Sequence, residues 1–424
     1  MSSSNFKQFG SGLAVTYILL VFLNLPLFSP FAAQDLLAPL LAGFILWHWR
    51  AALLIIKQSK YTLPAFLLLA FLTSVYHSYC GNGSFYDFSV FAYMGMLYLF
   101  FRLNPLEEKV QVRLGFALLC LLLGGFCLGL IAVFFPNFPG YSLFYHDSSS
   151  ADRGLALLAM RYQALFPNPN LLGSFYVLPV ILLRPWLQKQ FKAWQNWRQC
   201  LLFFGILALC LLPLVSSASK HALMTLAVLT GILLEAWPEK RRILRVPACT
   251  VLILFGALCL LTVLLPTFPL SKQFPYINTS CQGNYTIHQE IYLKMLVDQG
   301  RYSLIGIGSK ALRENYPKFA DRKKIVEMAA KYNTPHWVEP FATFMDPHHE
   351  YLNLATLFGL PALFCCLTFW LFHCQKKHLT ITLFVLAVLV CCLWDDLLSK
   401  RWLWVSLALL VIPPFRSVDS PNSP

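Results

Sequence analysis

The sequence predicts an all-α polytopic integral membrane protein of about twelve transmembrane helices, and three observations lead to that fold class. First, 58% of its 424 residues are hydrophobic, and they stand in blocks of roughly the length that crosses a bilayer. In hydrocarbon a backbone group must be satisfied within its own segment, so such blocks form helices. Second, only 12% of residues are charged, about half of what a soluble domain carries. Third, the basic residues fall between the blocks, mostly in alternate gaps, as membrane topology requires.

Taken in order, the expected spans are Gly12–Phe28, Leu36–Trp49, Leu63–Tyr76, Phe85–Phe101, Leu114–Phe135, Leu171–Leu183, Leu201–Val215, Ala222–Ala236, Val246–Leu265, Tyr351–Phe372, Leu379–Leu393 and Trp402–Ile412. The first block is too long for a signal-peptide core and lacks a small-x-small cleavage site, so it reads as an uncleaved helix. Arg50, Lys57 and Lys60 share one gap, and Arg102, Lys109 and Arg113 the next but one. Arg184 to Arg198, Lys240 to Arg245, and Lys376 with Lys377 continue the series. By the positive-inside rule these gaps are cytoplasmic, and so are both termini.

This topology divides the chain into four parts. Residues 1–135 hold the first five helices, and 136–265 hold an outer loop and helices six to nine. Residues 266–349 form a large periplasmic loop before the tenth helix, and 350–424 hold the last three helices. Long loops cross regardless of charge, so the basic residues of the large loop leave the topology intact. Within it, Ala311–Lys331 is expected to form an amphipathic helix, lying on the membrane or over a cleft.

The net charge of +14 is spread over many gaps rather than along one stripe, which excludes nucleic acid as a partner. The thirteen cysteines show no CxxC pair and no metal-finger spacing. Most sit inside apolar blocks as small hydrophobes, whereas Cys80 and Cys281 fall in outer loops where a disulfide can form. No phosphate-binding loop, dinucleotide fingerprint, HExxH or Gly-x-Ser-x-Gly element is present, so neither a cofactor nor a metal is expected.

Ionisable groups at membrane depth or at a helix mouth are costly, and four clusters of them fall on the expected outer face. The first runs from Arg161 to Asn170, with Asp152 and Arg153 upstream; Asn168 and Asn170 flank Pro169 as in a turn and helix start, which favours an anion. The second is Ser216-Ser-Ala-Ser-Lys220-His221, where a lysine at the lip of a bundle can neutralise a phosphate. The third is His288-Gln-Glu290 with Lys294 one turn on, followed by Gly306-Ile-Gly308, a tight turn. The fourth is Asp346-Pro-His348-His349-Glu350, where a carboxylate can orient a histidine and raise its basicity. Each also has a plain structural reading: a turn and cap, a solvated connector, a surface ion pair and an interfacial anchor.

Together the four clusters resemble the O-antigen ligase and polymerase superfamily of bacterial envelope enzymes. Its pattern has an Arg before an Asn-Pro-Asn helix start, matched by Arg161 and Asn168-Pro169-Asn170. It has a Ser-x-Ser-basic element, resembled by Ser217-Ala-Ser219-Lys220, and a basic residue opening a helix that leads to Gly-x-Gly, resembled by His288 and Gly306-Ile-Gly308. It ends with a His, one polar residue, nine others and a Gly, which fits His348, His349 and Gly359. The resemblance covers about Ala151 to Leu371; Lys220 and His288 stand where the family usually has arginine, and Gly359-Leu-Pro-Ala replaces Gly-x-x-Gly.

The resemblance implies a metal-independent glycosyltransferase of the bacterial inner membrane with its active face periplasmic. Its donor is an undecaprenyl-pyrophosphate-linked glycan and its acceptor a hydroxyl of lipid A–core, without nucleotide sugar. Arg161 and Lys220, with Asn168, Asn170, His288 and Arg153, would cradle the donor; His348 would be the base, with Glu350 or Asp346 orienting it. A lipid-linked glycan as acceptor would make the protein a polymerase, and a protein hydroxyl an oligosaccharyltransferase. A secondary transporter or flippase is the reading from a different class; it calls for paired inverted halves and midplane charges, which the sequence does not display.

Overall fold

The computed structural model describes residues 3–23, 26–28, 31–83, 85–134, 145–146, 161–162, 166, 169–193, 213–214, 219, 221–236, 284–298, 302–331, 338–345, 347–374, 378–393 and 395–411. These are helical apart from short connections and two ribbons of paired short strands, one of which sets Tyr145 opposite Tyr162 and His146 opposite Arg161. The expected spans that fall among them are helical, from Ser3–Leu23 to Arg401–Val411, except that the first, expected to reach Phe28, has its end Pro26–Phe28 as a short strand. The spans expected at 246–265 and over most of 201–215 lie outside the described residues.

Spanning length is a different matter, and here the expectation of twelve is not met. Among the described residues, Thr62–Tyr79 and Glu108–Ile131 are long and apolar enough to cross a membrane. The count rises to four if two bent pairs are each one span: Ala33–Trp47 with Trp49–Gln58, bent by 87°, and Asn170–Leu182 with Arg184–Gln190, bent by 62°. Other apolar helices are shorter, Arg401–Val411 having 11 residues. The expected Tyr351–Phe372 span is broken into Glu350–Phe358 and Leu360–Phe372. Gly359 between them has φ +87, a left-handed backbone, and Pro361 follows in the first turn of the second helix.

Contacts sort the connections into two ends. At one end Arg102 donates to Gln58 (3.0 Å), Lys60 lies over the Phe372 ring, and Tyr98 meets His373 (2.8 Å). Here Arg184 pairs with Glu235 at 3.0 Å, and the other Glu235 oxygen accepts the Thr380 N–H at 2.8 Å. These are the basic gaps of the sequence. At the opposite end meet the connections around residues 77–83, 170, 219–221, 305–311 and 392–401.

Between the ends lies an aromatic and aliphatic core that includes Tyr17, Phe66, Phe101, Phe175, Trp370 and Trp404, all fully buried. A second, smaller core stands outside it, built by Asn284–Asp298, Ser309–Phe319 and the segment 338–345 around Tyr292, Tyr316 and Phe341. Ala355 of Glu350–Phe358 belongs to this second core, while Leu354 and Phe358 belong to the first, so that helix joins the two. The expected single helix Ala311–Lys331 is two, Ser309–Phe319 and Arg322–Lys331. Asp321 separates them, its carboxylate accepting the N–H groups of Lys323 (3.1 Å) and Lys324 (3.2 Å) as a cap does.

Candidate functional site

Two of the four sequence clusters touch directly. The helix that opens at Pro169 carries Asn170 in its first turn, where proline's missing N–H costs nothing. The Asn170 side chain reaches across, accepting from the Ser219 hydroxyl and donating to Asp395, each at 3.4 Å. His221, with no exposed surface, places Nδ1 2.9 Å from the Asn170 carbonyl oxygen and Nε2 3.4 Å from Asp395 Oδ2. A carbonyl can only accept, so Nδ1 carries a hydrogen toward Asn170, while Nε2 faces the Asp395 carboxylate. Gly173 permits this approach, because a Cβ there would stand 2.3 Å from Ser219 Oγ.

The other two clusters also meet, through their glycines. Gly306 and Gly308 have φ +73 and +84, the tight turn that the sequence predicts. A Cβ on Gly306 would lie 2.6 Å from the Leu357 carbonyl, and one on Gly359 2.1 Å from the Leu304 oxygen. Ile307 N–H donates to the Thr356 carbonyl at 2.6 Å, stitching the turn to the end of the histidine helix. From the other side His77 Nε2 hydrogen-bonds the Ile305 carbonyl at 2.8 Å, and Ala311 N–H reaches the Asn82 carbonyl at 2.8 Å.

One connection joins the two pairs, and the sequence reading passed over it. Residues 392–401 present Asp395 to Asn170 and His221, and present the Leu398 N–H to Glu350 Oε2 at 3.2 Å. The Cys392 carbonyl accepts the Glu350 N–H at 2.9 Å, and Arg401 pairs with Asp35 at 2.8 Å. The signal for it was available: Asp395, Asp396, Lys400 and Arg401 crowd a short connection between two apolar helices, as costly there as the residues that were singled out.

Each candidate residue has its place. His348 follows Pro347 with φ +46, a left-handed backbone uncommon outside glycine, asparagine and aspartate, and its side chain is half-buried. His349 caps the helix, its Nδ1 accepting the Leu352 N–H at 3.3 Å. Burial lowers the His349 pKa, in keeping with an acceptor nitrogen. Glu350 is fully buried, and its Oε2 accepts the Leu398 N–H.

His288 is fully buried in the outer core, hydrogen-bonded through Nδ1 to the Tyr316 hydroxyl and packed edge-on against Phe341 at 4.6 Å. Burial pushes the Tyr316 phenol well up, so it keeps its proton. Glu290 pairs with Lys294 at 3.0 Å as expected, and with Lys324 as well. Arg161 is described only as part of its strand. Arg153, Asn168, Lys220 and Asp346 lie outside the described residues, as does Cys281. Among the described residues no group of three His, Cys, Asp or Glu side chains is placed to hold a metal.

The arrangement offers hydrogen-bond donors and acceptors, a histidine facing a carboxylate and histidines at a helix mouth, a set suited to handling a polar group beside an apolar bundle. No family model matches the chain, and no curated protein matches it in sequence.

Proposed function

We propose that the chain is a polytopic membrane enzyme that transfers a glycan from an undecaprenyl-pyrophosphate carrier to a hydroxyl of lipid A–core. One observation carries this reading: the described parts of the elements that resemble the O-antigen ligase pattern, from Asn170 to Gly359, meet as two contacting pairs bridged by the connection that carries Asp395 and Leu398. A chance set of turns and caps has no reason to converge. The membrane part is supported by large apolar side chains left exposed on the helices, Trp47 at 75% and Phe364 at 71% among them. A soluble surface rarely carries so much exposed apolar area.

The chemistry follows from the donor. Its pyrophosphate is an activated leaving group, so the enzyme must neutralise charge growing on it and take a proton from the acceptor. In this proposal Arg161, Lys220 and Arg153 supply the cations and Asn168 with Asn170 shapes the helix start that receives the phosphates. His348 removes the acceptor proton as the new C–O bond forms and the sugar–phosphate bond breaks, releasing undecaprenyl pyrophosphate. Glu350 acts by fixing the mouth of the helix through Leu398, and His288 by bracing the outer helices through Tyr316.

Deleting the gene in its host, and complementing with wild type or His348→Ala, tests the proposal on extracted lipopolysaccharide. Loss of long glycan from lipid A, with lipid-linked polymer accumulating and only wild type restoring the ladder, is the expected result. Collapse to a single-repeat band would identify a polymerase instead. An unchanged ladder would refute this acceptor and return the transporter reading to the front.

A further inference from the structure

The helix Asn284–Asp298 buries one face in the outer core and leaves two large apolar residues exposed on the other, beside the Glu290–Lys294 ion pair. Ile287, Ile291, Tyr292 and Met295 are buried, whereas Leu293 and Val297, one turn apart on the opposite face, are 50% and 74% exposed. Just beyond comes Leu304, 64% exposed, on the segment whose backbone is pressed against Gly359. That contact brings the Leu304 backbone to the start of the next bundle helix, where Leu360 is 49% exposed and Phe364, one turn further along, 71%. Exposed apolar residues thus recur on three elements packed in succession, Asn284–Asp298, Tyr302–Ile305 and Leu360–Phe372, a stripe of elements from the bundle wall to the outer subdomain.

We infer that this stripe faces lipid, so that the outer subdomain rests on the bilayer through Leu293, Val297 and Leu304. The inference builds on the membrane reading above, and the continuity with Phe364 on the bundle wall names the occupant as the acyl and headgroup boundary. It displaces the basic helix pair from that role. The face of Arg322–Lys331 carries the exposed cations Arg322, Lys323 and Lys324, of which Arg322 and Lys324 are tied to Glu339 and Glu290, with Val326 as its exposed large apolar residue. Cations already paired with carboxylates are held to the protein rather than free to meet lipid headgroups.

The consequence is positional. Helix Glu350–Phe358 runs nine residues from the histidine end to Gly359, so the stripe stands about 13 Å along the helix from His349. A polyprenyl tail in the bilayer and its phosphates at the helix mouth would be spanned by that single helix.

Photo-crosslinking tests it. A benzophenone amino acid is placed at Val297, Leu304, Phe364 or Lys323 of the full chain in vesicles of phosphatidylethanolamine and phosphatidylglycerol, and adducts are read by mass spectrometry. All four side chains are exposed, so the substitutions leave the cores untouched. The expected result is lipid adducts at Val297, Leu304 and Phe364 and none at Lys323. Adducts at Phe364 but not at Val297 or Leu304, adducts to protein there, or lipid adducts at Lys323 would overturn the inference while leaving the membrane reading standing. Absence of lipid at Phe364 would overturn both.

Discussion

At the scale of single residues, protonation and backbone geometry decide what the histidine end can do. Because burial lowers the His349 pKa, the folded chain binds fewer protons there than the unfolded one. The stabilisation is therefore present above the ordinary histidine pKa of about 6.5 and is lost as pH falls below it toward the folded value. His349→Asn, which keeps a side-chain acceptor at the cap, should flatten this dependence in thermal unfolding between about pH 5 and pH 7. An unchanged slope would mean that another group sets it.

Gly359 is fixed by a different constraint, having both φ +87 and the Leu304 oxygen 2.1 Å from any added Cβ. Gly359→Ala should cost at least about 1–3 kcal/mol from backbone strain alone, and more from the clash with backbone. The check is denaturant unfolding beside Gly12→Ala, where a Cβ meets nothing within 4 Å. Equal losses at the two positions would remove the argument that Gly359 is required by close approach.

At the scale of elements, the connection 392–401 ties the two halves of the site together. Asp395→Asn removes the charge beside His221 while keeping an acceptor for Asn170, and should cost about 1–3 kcal/mol through the buried partner. Combining it with His221→Gln should add less than the sum of the two, which unfolding of the single and double variants measures. Strict additivity would show that the two side chains act independently. Glu290 supplies a milder test. Hydrogen bonds from Lys324 and Lys294 hold its pKa below the ordinary carboxylate value, so its contribution is present above about pH 4.3 and lost as pH falls through the folded value. At 41% exposure the pairs are screened, and Glu290→Gln should cost only about 0.2–1 kcal/mol near neutral pH and nothing in strong acid.

Helix positions were legible in the sequence because long apolar runs leave little else for the backbone to do. The Gly306-Ile-Gly308 turn and the Glu290–Lys294 pair were legible because both depend on neighbours in sequence. What was not legible depends on distant partners. The hydrogen bond from the Leu398 N–H to the Glu350 carboxylate joins residues 48 positions apart. His288 reads as part of the donor cradle, and its burial against Tyr316 and Phe341 depends on residues 28 and 53 positions away. The break at Gly359 needed knowledge of Leu304, and the split at Asp321 arose from a cap that competes with continuing the helix.

At the scale of the whole molecule, an apolar bundle bears a small outer core on one end, and helix Glu350–Phe358 belongs to both. Such a shape suits a substrate with an apolar tail and a polar head, since each part meets its own surroundings. The most direct test of that account is transfer by purified protein in vesicles, given undecaprenyl-pyrophosphate-linked glycan and lipid A–core with no nucleotide or metal added. The account predicts glycan-bearing lipid A–core and free undecaprenyl pyrophosphate in equal amounts, with His348→Ala slowing the reaction by about 10²–10⁴-fold at unchanged protein abundance. Donor left intact by wild-type protein, or His348→Ala transferring at the wild-type rate, would contradict it.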